Sequence, residues 1–410
     1  MESIPADYLD ELDKLRDYII DRALKGEDQD KLLDLTVRTL SDQVINSFDI
    51  TGDFTTPDAE MLTRLVRDTW NFSAAKNYQQ TRDLTLALRD EKGLLREFSD
   101  FKEVANEIVD KYNETWLRTE YDFAIAASQS AARWNEFEKE ADIIPNLKYQ
   151  TVGDEHVRAS HQVLDGITRP LNDDFWDTHY PPNGYGCRCE AVQSLSGSKI
   201  TDSNNIPYVE IPKMFETNLA KTGLIYPKNH PYYVGVPQAE IKKALAYLPP
   251  KNTFIDYDFN GIKLEVHPLH GASELKENIE ISKLLKRLDP DAKIKLMPIL
   301  SEEDMKARKL YFPESYLKKY PTRNADATIN GKIYEYETAN GSKSSIQNAI
   351  KSGKKQAENI VIHLPDDIDL IEADKVVKGQ LKHYQGKENL SVWLINNNEK
   401  IEYIIRQKQQ

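Results

Sequence analysis

Residues 154–189 read DEHVRASHQVLDGITRPLNDDFWDTHYPPNGYGCRC. Both cysteines of the chain, Cys187 and Cys189, lie here, with His156, His161 and His179 and, beside them, Asp154, Arg158, Asp165 and Trp176. Such chemistry at short spacing predicts a knot tied by metal or ion pairs, or an active site. Two cysteines one residue apart close only a strained ring as a disulfide, so the thiols are expected free or metal-bound. On a straight strand their side chains point to opposite faces, and both reach one metal only if the strand bends. Tetrahedral zinc takes four nitrogen or sulfur ligands at about 2.0–2.3 Å. His161, Cys187 and Cys189 are the candidate metal ligands, and a structural zinc is the candidate ion. A packing knot without metal and a cysteine nucleophile with a histidine base stay open on the residues alone.

On the N-terminal side, residues 5–142 predict helices. Thr56-Pro57-Asp58 supplies a capping hydroxyl, a proline at the first helical position and an acid in the first turn. Phe101, Val104, Ala105, Ile108, Tyr112 and Trp116 recur at steps of three and four, one apolar helical stripe. Residues 143–195 change to a compact α+β pattern. A strand is expected at Leu147–Thr151, a short helix capped by Asp154 and running through Leu164, a tight loop at Pro181–Gly186, and extended chain from Cys187 to Val192. Residues 196–253, rich in Ser, Asn and Pro, predict a connector wrapped on the preceding domain, with one helix near Gln238–Tyr247. Residues 254–410 predict a second α+β module. Its expected strands are Ile262–Val266, Lys293–Met297, a hairpin about Asn330-Gly331, Asn359–Leu364, Ser391–Ile395 and Lys400–Ile405. Its expected helices are Leu275–Leu288, Ser344–Glu358 and Ile371–His383. The fold class is therefore multidomain: a mainly helical N-terminal half with a compact α+β unit, then a C-terminal α+β domain.

A chain of 410 residues exceeds one typical core. With 40% hydrophobic and 30% charged residues it has a globular composition. No apolar run approaches the ~20 residues of a membrane span, and no membrane partner is expected. The opening MESIPADYLDELDKL is acidic and amphipathic, unlike a secretory signal, and predicts folding in the cytosol. A net charge of -13 argues against broad phosphate-tracking contact with DNA. Lys375, Lys378, Lys382, Lys387, Lys400, Arg406 and Lys408 nevertheless give the last segment a candidate basic face.

The order Arg118-Thr119-Glu120, DEHVRASHQVLDG (154–166), Trp176 and PPNGYGCRC (181–189) resembles the phage Mu F-like minor head proteins, the group that includes SPP1-type head morphogenesis proteins. The resemblance covers roughly residues 60–195. It implies a minor capsid component that associates with the portal, with a few copies built into the head. Portal and capsid proteins are the implied partners, and the implied location is the virion, or the host cytoplasm during assembly. Arg118, Glu120, Asp154, Arg158, His161, Asp165, Trp176 and Arg188 are its structural-knot residues, with Gly166, Pro181, Pro182, Gly184, Gly186, Cys187 and Cys189 also matching.

A second constellation is NADATINGKIYEYETANGSKSSIQNAIKSGKKQAENIVIH (324–363). Glu335 and Glu337, two apart on a strand, share a face. Paired carboxylates hold a divalent metal, act as acid and base, or simply form a solvated strand surface. Asn324-Ala325-Asp326, Ile329-Asn330-Gly331, Glu335-Tyr336-Glu337, Ser345-Ile346, Lys355-Gln356 and Val361-Ile362 resemble the C-terminal tRNA-nuclease domains of CdiA-type toxins, and the barnase, EndoU, colicin and RelE-like nucleases fused to Mu F-like head proteins. The resemblance covers roughly residues 260–408. It implies RNA, tRNA above all, as substrate, an immunity protein as partner, and Asp326, Glu335, Glu337, Lys343, Ser345, Lys354 and His363 as candidate catalytic residues. His267 and His270 are outlying candidates. A restriction-type metal nuclease is the related alternative, and a divalent ion its cofactor. Glu337 stands where these families carry the lysine of E-x-K, a cation that stabilises phosphate charge. A neighbouring lysine replaces it, or the nuclease is attenuated. The function expected is a minor head protein carrying an RNase domain; the alternative is a purely structural head protein whose C-terminal domain is an inactive binding module.

Overall fold

A computed structural model describes residues 30–48, 54–195, 197–250, 253–368 and 370–407. The acidic opening segment, the helices expected before residue 30, and Lys408 lie outside the described residues. The chain divides into two compact units: Met1–Gly52 with Arg64–Leu248, and Asp53–Thr63 with Pro249–Gln410. The four expected segments thus merge into two, and an early stretch of chain belongs with the C-terminal half.

The first unit holds α1 (Asp30–Ser47), most of α2 (Thr56–Ala87), α3 (Phe98–Asp110) and α4 (Leu117–Lys139). A π-helical turn at Lys111–Trp116 joins the last two. α2 begins one residue earlier than its cap signal implies: the flanking residue is Thr55. Asp58 reaches back to accept from the Thr55 backbone N–H (2.8 Å) and hydroxyl (2.7 Å), the contact by which an acid in the first turn ties down the residue that flanks the helix. The predicted stripe is the packing face: Phe101 and Ala105 bury against Leu35, Leu84 and Ala87, with Val104 and Ile108 half-buried beside them, and Val109, outside the stripe, joins the same cluster.

The segment 196–248 is more than a wrap. Tyr226 stacks on Phe72 of α2 with ring centroids 3.6 Å apart. Its backbone N–H donates to Asp68 (2.8 Å) and its hydroxyl to the carbonyl of Glu120 (2.7 Å). Gln79 donates to the carbonyls of Tyr232 and Val234. The prolines and asparagines that suggest a loose connector instead shape a loop whose aromatic residues complete the helical core. Within it, α7 (Leu219–Thr222) was not foreseen, whereas α8 (Gln238–Ala246) was.

The α+β part of this unit is a three-stranded antiparallel sheet, order β2-β1-β3, made of β1 (Asn146–Gln150), β2 (Thr168–Pro170) and β3 (Glu190–Ser194). α5 (Ala159–Gln162) and α6 (Phe175–His179) are single turns. The helix expected from Asp154 through Leu164 shrinks to four residues. Asp154 instead closes a local turn by accepting from the His156 N–H (3.1 Å), the competition that short acidic side chains offer a helix.

The second unit is built on an eight-stranded mixed sheet, order β11-β10-β9-β8-β7-β6-β5-β4. Its strands are β4 (Ile255–Phe259), β5 (Ile262–Val266), β6 (Ile294–Leu296), β7 (Ala327–Ile329), β8 (Lys332–Thr338), β9 (Asn359–His363), β10 (Leu390–Ile395) and β11 (Lys400–Ile405). Phe54 of the early stretch lies against Tyr257 and Phe259 (5.6 and 5.3 Å between ring centroids), and Thr63 shares a 2.7 Å hydrogen bond with Tyr257. β8 and β9 pair in parallel at the centre, so β9 is buried and its NIVIH reads as a continuous apolar run. α9 (Leu275–Leu288) packs on β5 and β6, and α12 (Lys343–Gly353) packs on β8 and β9. Two short helices, α10 (Met305–Tyr311) and α11 (Glu314–Lys319), precede β7, and α13 (Leu370–Leu381) follows β9. α12 ends at Gly353, earlier than the expected Glu358, and there the backbone lies on Ile360: a Cβ would sit 2.8 Å from its side chain.

Candidate functional site

The first candidate site is the Cys–His cluster. A turn closed by Cys187 N–H to the Gly184 carbonyl (3.0 Å), with Gly186 at φ +67°, carries the chain into the cysteine pair. Only a residue without a Cβ enters that region at little cost. Both sulfurs then face one imidazole: Cys187 Sγ and Cys189 Sγ each lie 3.6 Å from His161 Nδ1. All three residues are buried. The hydrogen bond between the two thiols pulls Cys187 well below the usual thiol range and pushes Cys189 far above it. Around them, Tyr149 donates to Asn183 (3.1 Å), Arg158 donates to the Tyr185 carbonyl (2.5 Å), and Arg188 makes a bidentate pair with Asp154 (2.7 Å each). The Arg188 guanidinium holds the Asp154 carboxyl below its ordinary value. Asp165 accepts from the Thr151 N–H (2.7 Å), and Trp176 is fully buried. His179 stacks on Phe175 and His156 is exposed, so neither belongs to the cluster.

Neither Arg118 nor Glu120 sits in this knot. Arg118 makes a half-exposed pair with Asp122 (3.3 Å). Glu120 is buried among the helices, bonded to Lys76 Nζ, with its other oxygen accepting from the Tyr232 hydroxyl (3.0 Å). Burial pushes Glu120 up and Lys76 down, and each partner's charge opposes that push. Lys76 and Tyr232 carry no local signal in a single sequence.

The second candidate site lies on the central strand of the C-terminal sheet. Asp326 precedes β7 and comes opposite Glu335 because Ala327 pairs with Tyr334. Asp326 Oδ2 accepts from the Tyr336 N–H (2.8 Å), and Oδ1 from Asn278 Nδ2 (3.0 Å). The same amide donates to His270 Nε2 (3.0 Å), whose Nδ1 donates to the Met297 carbonyl (2.7 Å). His270 therefore reaches the carboxylates through Asn278, a residue the sequence patterns did not single out. Glu335 Oε1 accepts from Gln356 Nε2 (2.5 Å), while its buried Oε2 has no hydrogen-bond partner. Burial pushes Glu335 up to about 10, with Asp326 and Glu337 adding to the shift, and pushes Asp326 up to about 7. Glu337, half-buried on the same face, is raised by burial as well. It lines an open polar cleft of about 390 Å³ with Ser345 and the amino end of α12.

Asp326, Glu335 and Glu337 thus lie close enough to raise one another, Glu337 alone of the three lines the cleft with Ser345, and the candidate cations do not join them. Lys354 Nζ is bound to both oxygens of Glu388 (3.0 and 3.2 Å) and sits over the Tyr384 ring. Lys343 lines a different depression, with Glu372, Lys375 and His383. His363 ends β9 opposite Thr338, and burial lowers it below the usual histidine range. His267 shares a hydrogen bond with Tyr311 (3.2 Å).

Residues 72–192 match the family model of phage Mu protein F like proteins, and residues 323–401 that of the contact-dependent growth inhibition CdiA C-terminal domain. Over 86 residues, 21% of this chain, the sequence is 35% identical to protein F of Escherichia phage Mu, assigned to capsid assembly, covering 19% of that protein. Over 81 residues, 18% of this chain, it is 41% identical to the Mu-like prophage FluMu F protein of Haemophilus influenzae, again covering 19% of that protein. The matched stretch spans about a fifth of each curated relative. No solved structure matches the chain. The Cys–His cluster lies inside the stretch that matches the Mu protein F like model, and the carboxylate cluster inside the stretch that matches the CdiA C-terminal domain model.

Proposed function

We propose that this chain is a minor head protein of a phage or prophage, acting at the portal and built into the head, and that its C-terminal unit is an endoribonuclease directed at tRNA. The head role rests on the Mu F-like match over residues 72–192 and on the capsid-assembly assignment of the phage Mu relative. The nuclease role rests on one observation above the others: Asp326 comes opposite Glu335 of the central strand, and Glu337, two residues on, lines a cleft open to solvent.

Glu335 carries its proton at neutral pH, so alone it acts as an acid rather than a base. The unpartnered Oε2 of Glu335 is a hard oxygen donor of the kind a divalent cation takes, once that carboxyl gives up its proton. When bound, such an ion would supply charge stabilisation for the phosphoryl oxygens and a more acidic water. Asn278, Tyr336 and Gln356 orient the two carboxylates, and Ser345 is among the residues that line the cleft beside Glu337. No helix among the described residues is long and apolar enough to cross a membrane.

A second reading is favoured by a specific departure. Glu337 occupies the lysine position of E-x-K, and Lys343 and Lys354 are committed elsewhere. On that reading the C-terminal unit is an inactive binding module on a structural protein. Expression of the full chain in a bacterial host separates the two. Growth arrest that Glu335→Ala relieves supports the nuclease; unimpaired growth with both proteins supports the module. The head role is tested by recovery of the chain with portal protein in purified particles of the source element, and its absence from them would overturn that role.

A further inference from the structure

The arrangement at residues 161, 187 and 189 asks more of one nitrogen than a hydrogen bond provides. A neutral imidazole Nδ1 offers a single lone pair or a single N–H. Here two buried sulfurs are equidistant from it, each at 3.6 Å. A zinc ion with Zn–N of about 2.0–2.1 Å and Zn–S of about 2.3 Å at tetrahedral angles places nitrogen and sulfur about 3.6 Å apart. The observed separations are the edges of that tetrahedron. All three candidate ligand atoms lie within 4.8 Å of one another.

The surroundings suit a metal thiolate as well. The backbone N–H groups of Asn183 and Cys189 are directed at Cys187 Sγ, and the Arg158 guanidinium lies near Cys189. Donors of this kind tune and fix metal ligands. Two thiolates and one neutral imidazole around a doubly charged ion leave a site of zero net charge, the arrangement that costs least in a buried setting. The turn at Gly186 removes the obstacle that a straight Cys-x-Cys strand presents, because it brings both sulfurs to one side.

We propose that His161 Nδ1, Cys187 Sγ and Cys189 Sγ bind one zinc ion. The narrow groove beside the three ligands, lined also by Val152, His156 and Arg158, is where a water molecule would reach the ion as the fourth ligand. The ion staples the α5 turn to the loop 181–189, two segments separated by little regular structure, and its binding energy adds to folding of the α+β part. This proposal is independent of the nuclease reading.

The test uses the full chain, purified under reducing conditions. Elemental analysis is expected to find about one zinc per chain, the number one four-coordinate site takes. Replacement by cobalt is expected to give the thiolate-to-cobalt band in the near ultraviolet and the intense visible bands of tetrahedral cobalt. Cys187→Ser and His161→Ala are each expected to lose both signals. Those variants can misfold, so the wild-type protein decides. Folded, reduced wild type that carries no zinc and gives no cobalt–thiolate band overturns the proposal.

Discussion

Glu120 gives the sharpest stability prediction, because its partner is fixed and its surroundings are dry. Lys76 and Glu120 side chains are 2% and 4% exposed. Glu120→Gln keeps an oxygen for the Tyr232 hydroxyl and nearly the same volume, but removes the negative charge. Lys76 is then a buried cation without its counterion, and breaking such a pair costs about 3–5 kcal/mol. In a unit of this size each kcal/mol moves the melting temperature by about 2–4 °C, so a drop of roughly 6–20 °C is expected. The double variant Lys76→Met with Glu120→Gln is expected to recover most of the loss, since the stranded cation goes and the Tyr232 acceptor stays. Tryptophan fluorescence during urea unfolding reads this unit selectively: Trp70, Trp116, Trp134 and Trp176 belong to it, and Trp393 to the other. A loss below about 1 kcal/mol for Glu120→Gln would mean that water screens the pair, and a double variant as unstable as the single one would mean that the stranded cation is not the source of the loss; either refutes the reasoning.

Other outcomes follow from the same packing. Asp326 and Glu335 have folded pKa values raised to about 7 and about 10 from ordinary values near 4. Stability tied to their protons is therefore full below about pH 4 and lost as pH rises through 7 and on toward 10. In EDTA the C-terminal unit is expected to melt lower as pH climbs from 5 to 9, and Glu335→Gln to flatten that slope; a flat wild-type profile contradicts it. Tyr226→Ala is expected to cost the first unit about 3–5 kcal/mol, the range for removing a buried aromatic ring, by urea denaturation. Asp154→Ala, by contrast, removes an exposed pair and is expected to leave the unfolding midpoint unchanged. Phe54→Ala is expected to lower the stability of the C-terminal unit by about 1 kcal/mol through its lost aromatic contacts. Calorimetry that shifts only the transition of the N-terminal unit would contradict that assignment.

Much of the second unit was legible because its signals are local. Asn330-Gly331 forms the predicted hairpin with both residues at positive φ, and the 3.6-residue rhythm of Leu275–Leu288 gives α9 with the bounds expected. β4 was missed although Asn260-Gly261 carries the same turn signal; Ile255–Phe259 alternates apolar and acidic residues on an edge strand. α10 and α11 are too short to show a rhythm. The Cys–His cluster was readable by composition, but its geometry depends on a bend at Gly186 that spacing alone leaves open. Glu120 was readable as a motif residue and misplaced as to role, because its partners Lys76 and Tyr232 lie 44 and 112 residues away. Contacts of that separation leave no periodic trace. The same holds for Asp53–Thr63, whose membership in the C-terminal unit rests on Phe54 and Thr63 meeting residues some 200 positions on.

Cleavage of total bacterial RNA by the purified full chain tests the functional account most directly, with Mg²⁺ or EDTA and with Glu335→Ala in parallel. Discrete tRNA fragments that vanish in Glu335→Ala, and in EDTA if the carboxylates work through a divalent ion, are the predicted result. Intact RNA under every condition, from protein whose C-terminal unit is folded, would contradict the nuclease and leave the carboxylate cluster in a binding module on a head protein.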